Sequence, residues 1–365
     1  MNRATAVTIA LLSLCGLAPR GAQALPRYAA RYQQTCALCH VNPSGDGMRT
    51  SYATQKLIPD EIAWRRGKLP PLSDLDTGLA RRIQVGADFR ETYIGSNLAA
   101  DHLNFFQMQA DLDLAFQLDS TVALYYDRGE TGNYEMFGLD YLLPVLYVKA
   151  GRFVPSYGWR FDDHTMYVRA ELGFMPPGFS DVGLEAGFSK GPLDVTAGVV
   201  NGSRGALFDN DTKVAGVVNA LYRKRLGPAA AALGASGYHQ PGFTRDFDTW
   251  GGYGYLTWSR LTWLAEGDYF QTRPAGAGAS IGFVTSHEVS ILLRQGLELL
   301  GTYDFLDPDR EVASGSKWRW GGGVYVMPRA YATFEALVRH TAFDDGPALS
   351  GRDFTETVVQ LHLLY

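Results

Sequence analysis

Cys36-Ala37-Leu38-Cys39-His40 sets two thiols two residues apart, with an imidazole directly after them. That spacing is the attachment signature of a c-type haem. The thiols add across its vinyl groups, and the histidine that follows is placed to ligate the iron. A thioredoxin-like redox pair shares the spacing but belongs beside a βαβ pattern, and the chain has no such pattern. One covalent haem c is therefore expected, held by Cys36 and Cys39, with His40 as the proximal ligand. The sixth ligand is less determined. Met48 is the one methionine in this stretch and lies eight residues beyond His40, a span that extended chain can carry round a porphyrin edge. A methionine there would raise the potential relative to bis-histidine ligation. The other candidates are His102 and His164 near expected loops, and His239, His287, His340 and His362 on expected strands. Taken singly, each of these reads as an ordinary hydrogen-bonded histidine.

Three segments follow from the patterning. Residues 1–24 read as a secretory leader, with Asn2 and Arg3, an apolar core from Thr5 to Leu17, and Ala22-Gln23-Ala24 as the cleavage site. The apolar core is too short for a spanning helix. Cys15 would leave with the leader, so the mature chain from Leu25 keeps only the cysteines of the haem motif. Export suits a covalent haem, whose attachment in bacteria takes place outside the cytoplasm. Residues 25–79 form the haem segment, rich in proline, glycine and charge. A unit this small rarely buries a core unaided.

Residues 80–365 carry the alternation of a transmembrane β-barrel. The whole chain has 365 residues, 41 glycines, 20 tyrosines and a net charge of -5. That is no basic nucleic-acid binder, and three cysteines make no disulfide scaffold. Phe106, Met108, Ala110, Leu112, Leu114 and Phe116 alternate with Gln107, Gln109, Asp111, Asp113 and Gln117. Such a split over more than ten residues has the length of a lipid-facing strand. It recurs at Ile83, Val85, Ala87 and Phe89, and again at Ala332, Phe334, Ala336 and Val338.

Tight links are expected at Asp119-Ser120, Leu143-Pro144, Lys190-Gly191, Leu226-Gly227-Pro228, Ser259-Arg260, Arg294-Gln295 and Met327-Pro328. Longer polar links at 202–211, 240–246, 273–280, 307–315 and 342–352 alternate with them. The fold class is thus all-β: an antiparallel barrel of about 16 strands, with 14 possible because 121–142 is hard to divide. An even number puts both termini on the periplasmic side. Trp258 and Trp263 beside a tight link, and Trp250, Trp318 and Trp320 near loop ends, suit interfacial girdles. Gly251-Gly252-Tyr253-Gly254 and Gly321-Gly322-Gly323 fall inside strands and are packing positions, not phosphate loops. The haem segment is expected to plug, or dock in, the periplasmic mouth of the barrel. The connection 155–180, with Phe161, Met166 and Phe174, is expected to fold inward. Acids such as Asp307, Asp309 and Glu311 in the outer loops either attract cations or are ordinary loop polarity.

The leader, the Cys-Ala-Leu-Cys-His run near the mature start, the barrel and the terminal Tyr365 together resemble the fused monohaem cytochrome–porins of bacterial outer membranes, best known from iron-oxidising bacteria. Val41-Asn42-Pro43-Ser44-Gly45 and the Gly-Arg-Phe-Val-Pro-Ser-Tyr-Gly run at 151–158 are also similar to such proteins. The resemblance implies a bacterial outer-membrane location in contact with lipid. It also implies electron transfer between extracellular Fe²⁺ and a periplasmic carrier such as a soluble cytochrome, which would make the chain a possible Fe(II) oxidase. Two alternatives stand beside this reading. One is a passive channel with a structural or redox-sensing haem; the other is the same conduit run outward to an extracellular acceptor.

Overall fold

The structure, a computed structural model, describes residues 26–45, 47–64, 82–97, 103–129, 134–174, 180–203, 208–209, 211–242, 244–344 and 353–364. The expected leader, Cys15, His102 and residues 65–79 lie outside these. Sixteen strands among the described residues close into one antiparallel barrel, each paired with its sequence neighbours and the first with the last. They are β1 Ile83–Ser96, β2 Leu103–Gln117, β3 Val122–Gly129, β4 Tyr134–Leu143, β5 Leu146–Phe153, β6 Asp181–Lys190, β7 Leu193–Val200 and β8 Ala215–Leu226. The second half comprises β9 Ala229–Gln240, β10 Arg245–Trp258, β11 Leu261–Pro274, β12 Ser280–Arg294, β13 Leu297–Asp307, β14 Lys317–Arg329, β15 Ala332–Phe343 and β16 Phe354–Leu364. The stretch 121–142 divides into β3 and β4, which settles sixteen over fourteen.

Alternation governs the wall because successive side chains of a strand point to opposite faces. Leu112 and Leu114 of β2 face outward while Asp113 between them is buried. Met136, Leu184, Val218 and Leu233 continue the exposed apolar outer face, with Leu233 78% exposed. Trp258 and Trp263 flank the β10–β11 turn with their rings exposed. The closing register sets Arg90 of β1 opposite His362 of β16. No helix among the described residues is long and apolar enough to cross a membrane. A closed barrel satisfies the backbone groups of its strands internally.

One tight link differs from the sequence expectation. Met327 and Pro328 belong to β14, and the chain reverses two residues later, between Arg329 and Ala332. The ladder shifts register between Val326 and Arg329. Proline, lacking an N–H, is tolerated at such an irregularity, where it forfeits no ladder bond.

Two inserts fill the lumen. Residues 26–64 enter at the tight-turn end, as a helix at Pro26–Tyr32, a 3-10 turn at Cys36–Leu38 and a π-helical stretch at Ala53–Ile62. Arg27 and Arg31, four residues apart, lie on one helix face. Arg27 pairs with Glu288 at 3.2 Å and Glu298 at 3.6 Å, and Arg31 with Glu298 at 2.8 Å. The Trp64 N–H donates to the Met327 carbonyl at 2.8 Å, and the Gln295 amide donates to that of Ala63 at 2.9 Å. The second insert is the β5–β6 connection, described from Val154 to Phe174, which folds inward as expected. Phe161, Met166 and Phe174 are buried against the barrel interior.

Candidate haem site

Local chemistry shapes the Cys-x-x-Cys-His run into a single turn. The Cys39 and His40 N–H groups both donate to the Cys36 carbonyl, at 3.0 and 2.9 Å. The chain then doubles back: Val41 N–H reaches the Met48 carbonyl at 3.0 Å, Thr50 N–H reaches that of Cys39 at 2.8 Å, and His40 bridges Arg49. This small loop needs glycine twice. Gly45 has φ +91 and would bring a Cβ within 3.3 Å of Cys36 Sγ, while Gly47 has φ +64. Both φ values lie in the left-handed region that L side chains resist. Bent this way, Gly47 turns its carbonyl toward His40, whose Nδ1 lies 3.1 Å from that oxygen. Donation from Nδ1 leaves the ring lone pair on Nε2, the tautomer an iron ligand requires.

Cys36 and His40 line a cavity of about 290 Å³ between the two inserts. Its space is far beyond that needed by a lone ion. From the N-terminal insert come Cys36, His40 and Arg49; from the inward loop come Trp159, Phe161 and His164. Barrel residues Arg90, Tyr325 and His362 close part of the wall. Five arginines (Arg49, Arg90, Arg160, Arg169 and Arg223) line it against three aspartates (Asp88, Asp162 and Asp194). That surplus of positive charge suits a ligand carrying a pair of carboxylates. Arg49 is the clearest case. It is buried, one Nη donates to the Ala330 carbonyl at 2.9 Å, and its Nε has no partner among the described residues. Burial pulls its pKa down, against the pull of Tyr325 and Asp88. A buried guanidinium with an orphaned N–H is a ready partner for a propionate.

Cys39 is not on the cavity surface. It is 0% exposed and packs with Tyr28, Leu57 and Ile58, an apolar setting that suits a thioether sulfur. The thiols themselves resist ionisation. Burial pushes Cys39 up to about 12, partly opposed by Arg49, and raises Cys36 as well. A redox or metal-binding Cys-x-x-Cys works through a lowered thiol pKa, so this setting favours the haem reading over the bare redox pair. Cys36, His40 and Arg49 thus suit a covalent c-type haem, whereas Cys39 does not reach the cavity.

Met48 lies elsewhere. It is 4% exposed, packed in the lumen core that includes Tyr125 and Phe137, and it does not line the cavity. Its N–H takes a bond from the chain's own wall, donating to the Tyr125 hydroxyl at 3.1 Å. Of the other histidines, His164 and His362 line the cavity, whereas His239, His287 and His340 sit on the wall outside it. His362 Nε2 lies 2.7 Å from Asp88 Oδ1.

The inward loop is fastened on both sides of His164. Arg90 of β1 pairs with Asp162 at 3.2 Å, and Arg339 of β15 pairs with Asp163 at 2.7 Å. Arg319 of β14 donates to the Thr165 carbonyl at 2.8 Å. Burial opposes ionisation of Asp162, but Arg90, with His362 and Arg27, outweighs it and holds the carboxyl down at about 2. Farther along, Tyr157 donates to Asp268 and Trp159 N–H to Glu266, each at 2.7 Å. Neither Arg49 nor these clamps can be read from the sequence. A lone arginine in a charged segment, and polar residues scattered over four strands, carry no local signal.

The outer acids form turns rather than a metal site. Asp307 accepts the Asp309 N–H at 3.3 Å and Asp309 that of Glu311 at 3.1 Å. No cluster of three or more metal-ligating side chains occurs among the described residues.

No protein-family model and no curated protein matches the chain. Solved structures do. An anion-selective porin from Comamonas acidovorans superposes with a TM-score of 0.60 at 12% identity, covering 78% of this chain and 99% of that one. A loop L8 deletion mutant of OmpT, an outer membrane protein of Vibrio cholerae, gives 0.59 at 11% identity, with the same coverages. OprB of Pseudomonas putida gives 0.57 at 9% identity, over 79% and 95%. At such identities the likeness is one of fold: the chain has a porin-like, sixteen-stranded barrel.

Proposed function

We propose that the chain is an outer-membrane electron-transfer cytochrome–porin. In this reading a c-type haem held in the lumen cavity exchanges electrons between extracellular Fe²⁺ and a periplasmic carrier such as a soluble cytochrome. The observation that carries it is the shared cavity of Cys36 and His40, with His40 Nδ1 held by the Gly47 carbonyl. When bound, the haem supplies reversible one-electron exchange at its iron. Each Fe²⁺ that gives up one electron leaves as Fe³⁺, and the same electron passes on to the carrier.

The chain's own residues have separable roles. Cys36 and Cys39 would hold the haem by adding S–H across its vinyl groups, one C–S and one C–H bond forming at each, so that no oxidant would be consumed. His40 would offer Nε2 to the iron, and Arg49 would meet a propionate. The inserts exclude water from the lumen around the cavity. A membrane band about 25 Å tall is more than one cofactor can bridge, so the haem would have to sit well inside the lumen or use lumen residues as stepping stones. The exposed apolar outer face and its tryptophans support contact with outer-membrane lipid.

A passive channel is the second reading, favoured by the likeness to porins such as that of Comamonas. Planar-bilayer recording separates the two, since an open, ion-conducting pore supports the channel and a blocked one the plug. The direct test is stopped-flow mixing of oxidised, detergent-purified protein with Fe²⁺. Rapid appearance of reduced c-haem bands, lost in His40→Ala, is expected. A haem reducible by dithionite but indifferent to Fe²⁺ would remove iron as donor and leave the outward conduit or the channel.

A further inference from the structure

One buried ion pair of the wall touches both inserts. Lys149 of β5 and Glu185 of β6 stand opposite each other in register, their charged groups 2.9 Å apart and both side chains fully buried. A lysine ammonium has three protons to place, and the lumen takes all of them. Besides Glu185, Lys149 Nζ donates to Ser44 Oγ at 2.8 Å and to Asn42 Oδ1 at 3.2 Å. Both acceptors belong to the loop that returns from His40 toward Arg49. Glu185 is used as fully. One carboxylate oxygen takes Lys149 and the Tyr147 hydroxyl, the latter at 2.9 Å, and the other accepts the Ser156 hydroxyl at 2.8 Å. Ser156 belongs to the inward loop, and it lines the cavity together with Ser44. The two inserted faces of the cavity are thus tied to each other through a single pair of wall charges.

Such a pair transmits displacement. Two charges this deeply buried are tolerable only while their remaining hydrogen-bonding positions are filled. Withdrawing Asn42 and Ser44 takes two of the three acceptors from the ammonium. Lys149 must then turn to find others, and Glu185 loses the charge that fixes its carboxylate beneath Ser156. A shift at Ser156 reaches its neighbours directly, since Tyr157 is bonded to Asp268 and Trp159 to Glu266, each at 2.7 Å. The same chain runs backward, because an energetic coupling between two sites is reciprocal.

We propose that Lys149 and Glu185 are a positioning pair that couples the two inserts, so that neither the N-terminal insert nor the inward loop leaves its seat without releasing the other. Plug and constriction then act as one gate instead of two barriers in series. The coupling runs through the chain's own side chains and needs no cofactor, so it stands or falls separately from the haem reading.

The test is limited trypsin digestion of the full-length, detergent-purified protein. Cleavage at Arg160 and Arg169 reports release of the inward loop, and cleavage at Arg49 and Lys56 reports release of the insert. Cleavage of a folded chain follows local opening. Asn42→Ala/Ser44→Ala changes the insert alone, yet it should speed cleavage at Arg160 and Arg169 by roughly tenfold, the worth of a hydrogen bond to a charged group. Ser156→Ala changes the inward loop alone and should speed cleavage at Arg49 and Lys56. With the pair replaced, in Lys149→Met/Glu185→Gln, neither change should be transmitted any longer. Faster cleavage confined to the altered insert would show two independent barriers and overturn the proposal. Transmission that persists without Lys149 and Glu185 would overturn it as well. If Asn42→Ala/Ser44→Ala does not assemble, Ser44→Ala replaces it and is judged by the same criterion. Repeating the series in Cys36→Ala/Cys39→Ala protein separates the two accounts. Coupling is expected to survive there, and coupling seen only in haem-bearing protein would contradict a link made by side chains alone. Wild-type protein bearing no covalent haem would refute the haem reading and leave this test in force.

Discussion

His40 Nδ1 lies 3.1 Å from the carbonyl oxygen of Gly47, a residue whose φ of +64 turns that carbonyl inward. The pair links backbone conformation to ligand chemistry. A Cβ at position 47 would meet the Tyr125 hydroxyl at 2.2 Å, and the left-handed backbone alone costs an alanine about 1–2 kcal/mol. Gly47→Ala should therefore loosen the bond to His40 and make its imidazole a poorer donor to iron. A haem midpoint potential raised above wild type is the expected reading; an unchanged potential in a folded variant would deny Gly47 that role.

Arg27 should hold the N-terminal insert in place. Its guanidinium is 1% exposed between Glu288 and Glu298. Removing one partner from a buried ion pair leaves the other charge uncompensated, at a cost of about 3–5 kcal/mol. Arg27→Ala should turn a quiet channel into one with frequent open bursts in planar bilayers. Pairing it with Glu298→Gln should recover part of the loss, and no recovery would mean that the two residues are not coupled.

Arg49→Gln should lower the haem potential by roughly tens of millivolts, because a nearby buried cation disfavours the more positive, oxidised iron. Redox titration of the purified variant gives the answer. A rise, or no movement, would place the propionates elsewhere.

The insert should also loosen in alkali. Burial, then Glu61, lifts Tyr32 to about 12, and Tyr28 is raised further by burial and Glu298. A phenol whose folded pKa exceeds its unfolded value of about 10 adds stability that is complete below pH 10. That stability is lost as pH climbs from about 10 toward 12. Conductance recorded from pH 8 to 11 should stay low at first and rise above pH 10, with Tyr32→Phe moving the onset upward. An onset below pH 9 would assign the loosening to another group.

The wall of the barrel was legible in the chain because lipid on one side and a polar lumen on the other force period-2 alternation, as at Leu112-Asp113-Leu114. The Cys-Ala-Leu-Cys-His motif was legible because its chemistry is local. The lumen was not. Arg339 and Asp163 are 176 residues apart, and nothing in either neighbourhood announces the other. Met48 looked like a ligand by proximity in sequence, yet the loop that returns from His40 to Arg49 turns its side chain into the core. The displaced β14–β15 turn is a smaller instance, in which Met327-Pro328 read as a turn and the register shift carried the strand past it.

The central claim is that Cys36 and Cys39 carry a covalent haem. Intact-mass and peptide mass spectrometry of the mature protein, produced in cells able to attach haem, measures this directly. We expect a single addition equal to the mass of one haem, located on the peptide containing both cysteines and absent when both are replaced by alanine. Unmodified thiols on that peptide would contradict the claim and return the chain to the plain porins.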